Sequence, residues 1–265
     1  MVDFECRPAY DVDDFRRIIE VLRSPGGCPW DIEQTHASLR RNLLEEAYEV
    51  CEAIDQGDPG HLREELGDLL LQIIFHARIE EEKGVFDLDD VADAACKKLI
   101  FRHPHVFGDV AVSGSEEVLQ NWDTLKRREK AQTTIFKTMT DVAESLPALW
   151  RAEKIQKKAA KAGFDWTELS GAADKLREAL SELEQAQAES GAAHIEEALG
   201  DLLFAAVNAA RFSGADPEAA LHKSCEKFIG RFGYVEAEAE KSGRELSGMS
   251  FEELKGLYNA AKRMA

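Results

Sequence analysis

One segment of this chain occurs twice. LREELGDLLLQ, residues 62–72, returns 133 residues later as IEEALGDLLFA at 195–205, and the same shift carries Glu45 to Glu178 and Glu49 to Glu182. Further on, KKLIFRH (97–103) is answered by EKFIGRF (226–232), and NWDTLK (121–126) by LYNAAK (257–262). A chain that repeats its motifs in the same order folds as two copies of one unit. Apolar residues recur at helical spacing almost throughout, and strand-like alternation is nearly absent, so each copy is helical. The expected fold is all-α, a tandem duplication of helical-bundle domains. Residues 1–131 form the first domain, 132–165 a connecting helical segment, and 166–265 the second domain.

Within the first copy, the breakers divide the chain. A helix over about 11–23 ends at Pro25-Gly26-Gly27, and CPWDIEQT follows as an irregular stretch. A second helix runs from about Thr35 to Gln56 and stops at Gly57-Asp58-Pro59-Gly60. A third continues to about Lys83, with Gly84 as its stop. Asp87 is an N-cap for a fourth, which Pro104 ends. After the loop HVFGDVAVSG, a fifth starts near Ser115, with Glu116 and Glu117 where the helix dipole favours acids. The short turn between the second and third helices makes them antiparallel neighbours.

Those two helices carry Glu45, Glu46, Glu49, Glu64, Glu65 and Asp68 beside some of the most apolar sequence in the chain. Positions three apart share a helix face, so Glu46 and Glu49 converge, as do Glu65 and Asp68 on the facing helix. Four carboxylates make an all-oxygen site suited to a hard cation, Mg²⁺ or Mn²⁺, rather than zinc. Asp68 lies in LGDLLLQIIF, which predicts a carboxylate at least half buried and therefore in need of a cation. Gly67 inside the helix points to a close backbone approach. The competing reading is a solvated acidic face. A di-iron bundle would need two Glu-x-x-His pairs, and only Glu33-Gln34-Thr35-His36 fits.

Composition narrows the ligand. With 265 residues, 44% of them apolar, the chain can bury a core; its formal charge of −18 argues against a surface that holds nucleic acid or anionic lipid. Five scattered cysteines without a CxxC pair argue against a disulfide framework or zinc site, and neither a signal peptide nor a membrane-length apolar run is expected from the sequence. The expectation is a cytoplasmic protein that contacts neither membrane nor nucleic acid.

EEAYE (45–49) with EELGD (64–68) resembles the EExxE…ExxD signature of the MazG nucleoside triphosphate pyrophosphohydrolases. GGCPWDIEQTHASL, FRHPHVFGD, NWDTLKRREK and RAEKIQKKAAKAGFDW extend the likeness over nearly the whole chain. The resemblance implies an all-α homodimer or higher homo-oligomer that hydrolyses NTPs or dNTPs to the monophosphate and pyrophosphate with Mg²⁺. It implies Glu46, Glu49, Glu65 and Asp68 as metal ligands. Glu45 and Glu64 either orient or deprotonate the attacking water or simply solvate the helices. Lys98 and Arg102 are implied as phosphate-side cations. Trp122 and Lys126 share a face, where an indole stacks on a base and an ammonium meets phosphate, although a core Trp fits as well. Trp30, His36 and Trp122 surround the expected base pocket. Two other functions remain in view: a pyrophosphatase selective for dUTP or dCTP, and a non-catalytic acidic scaffold.

The second copy departs at the ligand positions, which read Ala179, Glu182, Ala198 and Asp201. Half a cage holds Mg²⁺ weakly, because affinity falls with ligand charge. The second domain is therefore expected to be degenerate, unless Glu178 with Glu182 and Glu197 with Asp201 form a shifted cluster. Lys154, Lys157, Lys158 and Lys161 form one stripe on the connecting helix, which either reaches over a triphosphate or offsets the acids.

Overall fold

The computed structural model describes residues 4–189 and 191–264, and its chain divides after Lys126 into two compact units. Among the described residues there are thirteen α-helices and no strand, and no helix is long and apolar enough to cross a membrane.

In the first unit, α1 (Val12–Arg23) starts at an Asp11 capping box closed by Asp14. CPWDIEQT is not irregular throughout: Pro29 opens a short helix, α2 (Pro29–Glu33), as a proline at the first helical position does. Thr35 caps α3 (His36–Gln56) by accepting from the Ser38 amide, and Gly57 ends it in the left-handed conformation at φ +68°. Asp58 then accepts from the Gly60 and His61 amides and starts α4 (Pro59–Glu81), which folds back along α3. Asp87 caps α5 (Leu88–Arg102). Pro104 ends that helix and opens a further turn, α6 (Pro104–Phe107), inside the expected loop. The last helix of the unit, α7 (Ser115–Glu129), crosses the boundary.

The core of this unit gathers Ile19 of α1, Leu39 of α3 and Ile74, Phe75 and Ile79 of α4, with Phe15, Leu22, Leu70, Leu71 and Leu88 around them. Burying each such side chain is worth about 1.5–3 kcal/mol. Arg23 joins the pieces. Its guanidinium donates to both carboxylate oxygens of Glu82 at 2.9 and 2.8 Å and to the carbonyls of Asp31 and Gln34 at 2.6 and 3.2 Å, and it lies 5.1 Å over the Phe75 ring. Gly27 is required there, because a Cβ would sit 2.3 Å from the Leu22 carbonyl oxygen. Gly67 behaves otherwise: a Cβ at that position would meet nothing within 4 Å, so the close approach expected of it does not occur.

The second unit comprises α8 (Ile135–Thr140), α9 (Ala148–Lys161), α10 (Leu169–Glu189), α11 (Ala192–Phe212), α12 (Pro217–Lys241) and α13 (Phe251–Met264). α9, from the segment read as a connector, packs on α11 and α12. Gln156 donates to the Phe204 carbonyl at 2.8 Å, and the Trp150 indole donates to the Asp216 carboxylate. α10 and α11 form a hairpin whose seam is lined by small residues, with Ala172, Ala179, Ala198 and Ala205 all buried.

Candidate metal centre

The core of the first unit occupies the end of the α3–α4 hairpin where α3 begins, and the acids lie nearer the turn. One carboxylate oxygen from each of Glu46, Glu49 and Glu65 lies within 4.8 Å of the others, and all three side chains are half-buried. Burial, and then the charges of Asp68, Glu49 and Glu65 together with a hydrogen bond to Glu49, push the Glu46 carboxyl above its ordinary range. Asp68 thus acts on Glu46 but stands outside the three-residue group. It is also exposed, contrary to the half-buried position that its apolar neighbours suggested. The reason is tertiary: Leu66 on the same stretch is 48% exposed, so this part of α4 has one covered face only. Glu45 and Glu64 are exposed beside the cluster and outside the group.

His61 was not foreseen. Its Nε2 lies 3.0 Å from Glu65, and its Nδ1 3.1 Å from the Gln56 side-chain oxygen. The Gln56 amide nitrogen donates to Glu52, which fixes that oxygen toward the ring. The i,i+4 spacing of His61 and Glu65 was the available signal.

His36 sits ten residues before Glu46 on α3, about 15 Å along the axis. It is tied to α4 instead, with Nδ1 2.7 Å from His76 Nδ1 and Nε2 2.6 Å from Glu80. Burial and the neighbouring His36 lower the pKa of His76. Trp30 is on α2 and exposed. A second gathering forms where α5, α6 and α7 meet: Arg102 lies 5.8 Å over the Trp122 ring, and His103 meets the same ring edge-on at 4.7 Å. Lys98 precedes Arg102 by one turn and is exposed, and Lys126 follows Trp122 by one turn.

The second unit is built differently at the matching positions. Ala179 is fully buried and Ala198 nearly so. Glu182, Glu197 and Asp201 line a hollow of about 300 Å³ with Gln185, Ala186, Ala198 and His194. Lys175, which stands where the first copy has Asn42, places its ammonium 2.9 Å from Glu178 and 3.9 Å from Glu182. On α9, Lys157 pairs with Glu153 at 2.6 Å and Lys154 is exposed.

Residues 34–107, which include all six acids of the first copy, match the family described as the MazG nucleotide pyrophosphohydrolase domain. The chain is 45% identical over 255 residues to a nucleoside triphosphate pyrophosphohydrolase of Escherichia coli K12, an alignment covering 95% of this chain and 97% of that one. It is 42% identical to a nucleoside triphosphate pyrophosphohydrolase/pyrophosphatase MazG of Thermotoga maritima, over 92% of this chain and 93% of that one. An uncharacterized protein of Bacillus subtilis is 46% identical over 96% of this chain, which spans 52% of that protein.

Proposed function

We infer that this chain, which belongs to the MazG family, is a nucleoside triphosphate pyrophosphohydrolase acting at the carboxylate cluster of its first unit. The observation that carries the location is the approach of Glu46, Glu49 and Glu65 to within 4.8 Å, with Glu46 held partly against ionisation. Three half-buried acids repel one another, and a divalent cation relieves that repulsion while matching their oxygen donors. Glu46, Glu49 and Glu65 would hold Mg²⁺, or Mn²⁺ in its place, with Asp68 one helical turn from Glu65. When bound, the cation supplies charge neutralisation and electrophilic activation at the phosphoryl group.

The remaining roles belong to side chains of the chain itself. Glu45 and Glu64, exposed beside the cluster, orient the attacking water or accept its proton. His61 fixes the Glu65 carboxylate. Arg102, Lys98 and Lys126 meet the phosphate chain, and Trp122, already carrying Arg102 on its face, stacks on the base. Trp30 and His36 shape base selectivity from the end of the unit where α3 begins. The second unit is degenerate, which its two buried alanines and the Lys175 ion pairs support.

The working form is a homodimer or larger homo-oligomer. None of α5 is buried, and Leu99, Ile100 and Phe101 are about half exposed on successive faces. A helix apolar on several sides is covered in the working assembly. Light scattering on the purified chain reads this directly.

A panel of NTPs and dNTPs with Mg²⁺, resolved by chromatography, tests the activity. Nucleoside monophosphate and pyrophosphate are expected, with dUTP and dCTP measuring base preference; nucleoside diphosphate and orthophosphate would overturn the reaction type. Glu49→Gln is expected to abolish turnover and Glu182→Gln to spare it. The reverse pattern would move the chemistry to the second unit.

A further inference from the structure

At the core end of the α3–α4 hairpin, His36 and His76 settle each other's protons. Glu80 accepts there as a carboxylate: the Lys83 ammonium and His36 Nε2 both lie 2.6 Å from its Oε1, and those two bonds, Lys83 first, hold its pKa below the usual carboxylate range. His36 therefore carries its proton on Nε2 and presents a bare Nδ1 to His76 Nδ1, 2.7 Å away. The bond between the rings then needs the His76 proton on Nδ1, which leaves His76 Nε2 bare. That atom is buried and has no hydrogen-bond partner among the described residues. The two rings are stacked, with centroids 5.0 Å apart and planes 15° apart.

An added proton has no good place in this chain of bonds. On His36 Nδ1 it would set two N–H groups against each other at 2.7 Å unless the His76 proton moved to Nε2, and on His76 it goes to Nε2 directly. Either way an N–H forms at a buried atom that has no acceptor. Burial, and then the neighbouring His36, accordingly hold the His76 pKa below its ordinary value. The charges on the helices packed against α4 are committed elsewhere. Glu20 and Arg23 of α1 pair with Arg78 and Glu82, Arg16 of α1 pairs with Asp89 of α5, and Arg40, one turn after His36 on α3, is exposed.

His36 also opens α3, at the corner where α2 runs into it. The Gln34 side chain donates to the Trp30 carbonyl at 2.8 Å and accepts from the Ser38 hydroxyl at 2.8 Å, so Trp30 is tied to the first turn of α3. Arg23 holds the Asp31 and Gln34 carbonyls of the same corner. We propose that His36, His76 and Glu80 form a latch that stays closed only while the histidine pair is neutral, and that mild acid frees the start of α3 together with the corner that bears Trp30. His76 takes up the proton by turning Nε2 out of the seam to water, which breaks its bond to His36. The folded chain binds that proton less tightly than the unfolded chain, so the stability the latch contributes is full above the unfolded histidine value of about 6.5 and is lost as pH falls through the lowered folded value. The latch stands on the geometry of the hairpin; its effect on nucleotide binding rests on the reading that Trp30 and His36 shape base selectivity.

The test follows amide hydrogen exchange over residues 34–40 of the full chain in EDTA, corrected for the intrinsic pH dependence of exchange. Between about pH 7.5 and about pH 5.5, exchange there is expected to quicken about tenfold, while α11 of the second unit stays level. His76→Phe should exchange fast at both pH values. His76→Gln, whose amide donates to His36 without titrating, should exchange slowly at both, so either variant alone tests the latch. Nitrogen-15 NMR near neutral pH should find the His36 proton on Nε2 and the His76 proton on Nδ1. The opposite tautomer at His76, or wild-type exchange that ignores pH, overturns the proposal; the second result is what capture of the new N–H by Gln72 Oε1, buried and unpartnered one turn earlier on α4, would give. KM for ATP in Mg²⁺ is scored separately. It should rise several-fold in His76→Phe near neutral pH with kcat little changed, and an unchanged KM beside the expected exchange sinks the role of Trp30 at the base and leaves the latch standing.

Discussion

Glu49→Gln should make the metal-free protein more stable while removing its activity. The substitution keeps the shape of the side chain, so packing on α3 is unchanged and the effect is electrostatic. Two unit charges at 4.8 Å, the outer limit for the cluster, repel by about 0.9 kcal/mol in water, and more where the site is half-buried. Glu49 takes part in two of the three pairs, so its neutralisation relieves about 2 kcal/mol. For a unit of this size, ~2 kcal/mol corresponds to a rise of about 7 °C in melting temperature. The assay is thermal unfolding in EDTA and again in millimolar Mg²⁺. Wild type gains about 3 kcal/mol from a cation present at a hundred times its dissociation constant, and the variant gains little. A variant that melts at or below the wild-type temperature in EDTA, together with a wild type indifferent to Mg²⁺, would refute the cluster as a strained cation site.

The other expectations follow from the same residues and their surroundings. Because burial and its neighbours raise the Glu46 pKa in the fold, the folded chain holds that proton more tightly than the unfolded chain does. In EDTA, the Glu46 contribution is therefore full below the unfolded carboxyl value of about 4.3 and is lost as pH rises through the raised folded value; Glu46→Gln should flatten that part of a melting-temperature profile. Arg23→Ala removes a side chain that is 6% exposed, leaves Glu82 with Arg78 alone and strands two carbonyls. Its cost is about 3 kcal/mol, at the low end for a broken buried pair because Glu82 keeps the Arg78 pair and some water, and a melting temperature within 3 °C of wild type would contradict the keystone role. Ala179→Glu should not restore a second catalytic site, since the position is fully buried. It should cost several kcal/mol in denaturant unfolding, and a variant of wild-type stability would show the seam to be looser than described.

Helix boundaries were legible in the sequence wherever a local device sets them. Thr35, Asp87 and Gly57 act within three or four residues, and each falls where its side chain or its positive φ requires. The pairing of Glu46 with Glu49 was legible for the same reason, because helical spacing alone sets it. Asp68 was misread because apolar neighbours in sequence say nothing about which side of α4 meets α3. His36 and His76 are forty residues apart, and only the packing of the hairpin joins them. The turns α2 and α6 were read as loop because two or three neighbouring breakers outweighed the single proline that starts each one. The Lys175–Glu178 pair lay in plain i,i+3 spacing, and its meaning emerged once Ala179 and Ala198 proved to be buried.

On the proposal that Glu46 and Glu65 hold a cation, the burial of Ala179 and Ala198 accounts for the absence of a carboxylate at either matching position. A carboxylate in the seam between α10 and α11 is tolerable when a cation shared with other acids offsets its desolvation. Remove one acid and the cation binds weakly, while the remaining buried acid keeps its full desolvation cost and has less to offset it. Replacing the second acid by a methyl group then stabilises the fold outright, and two small side chains let the helices close. Glu182 and Asp201 escape this logic because both are exposed and Lys175 lies beside Glu182. The first unit stays on the other side of the same balance: Glu46 is only half-buried, and its three acidic neighbours keep both the cost and the cation site that offsets it.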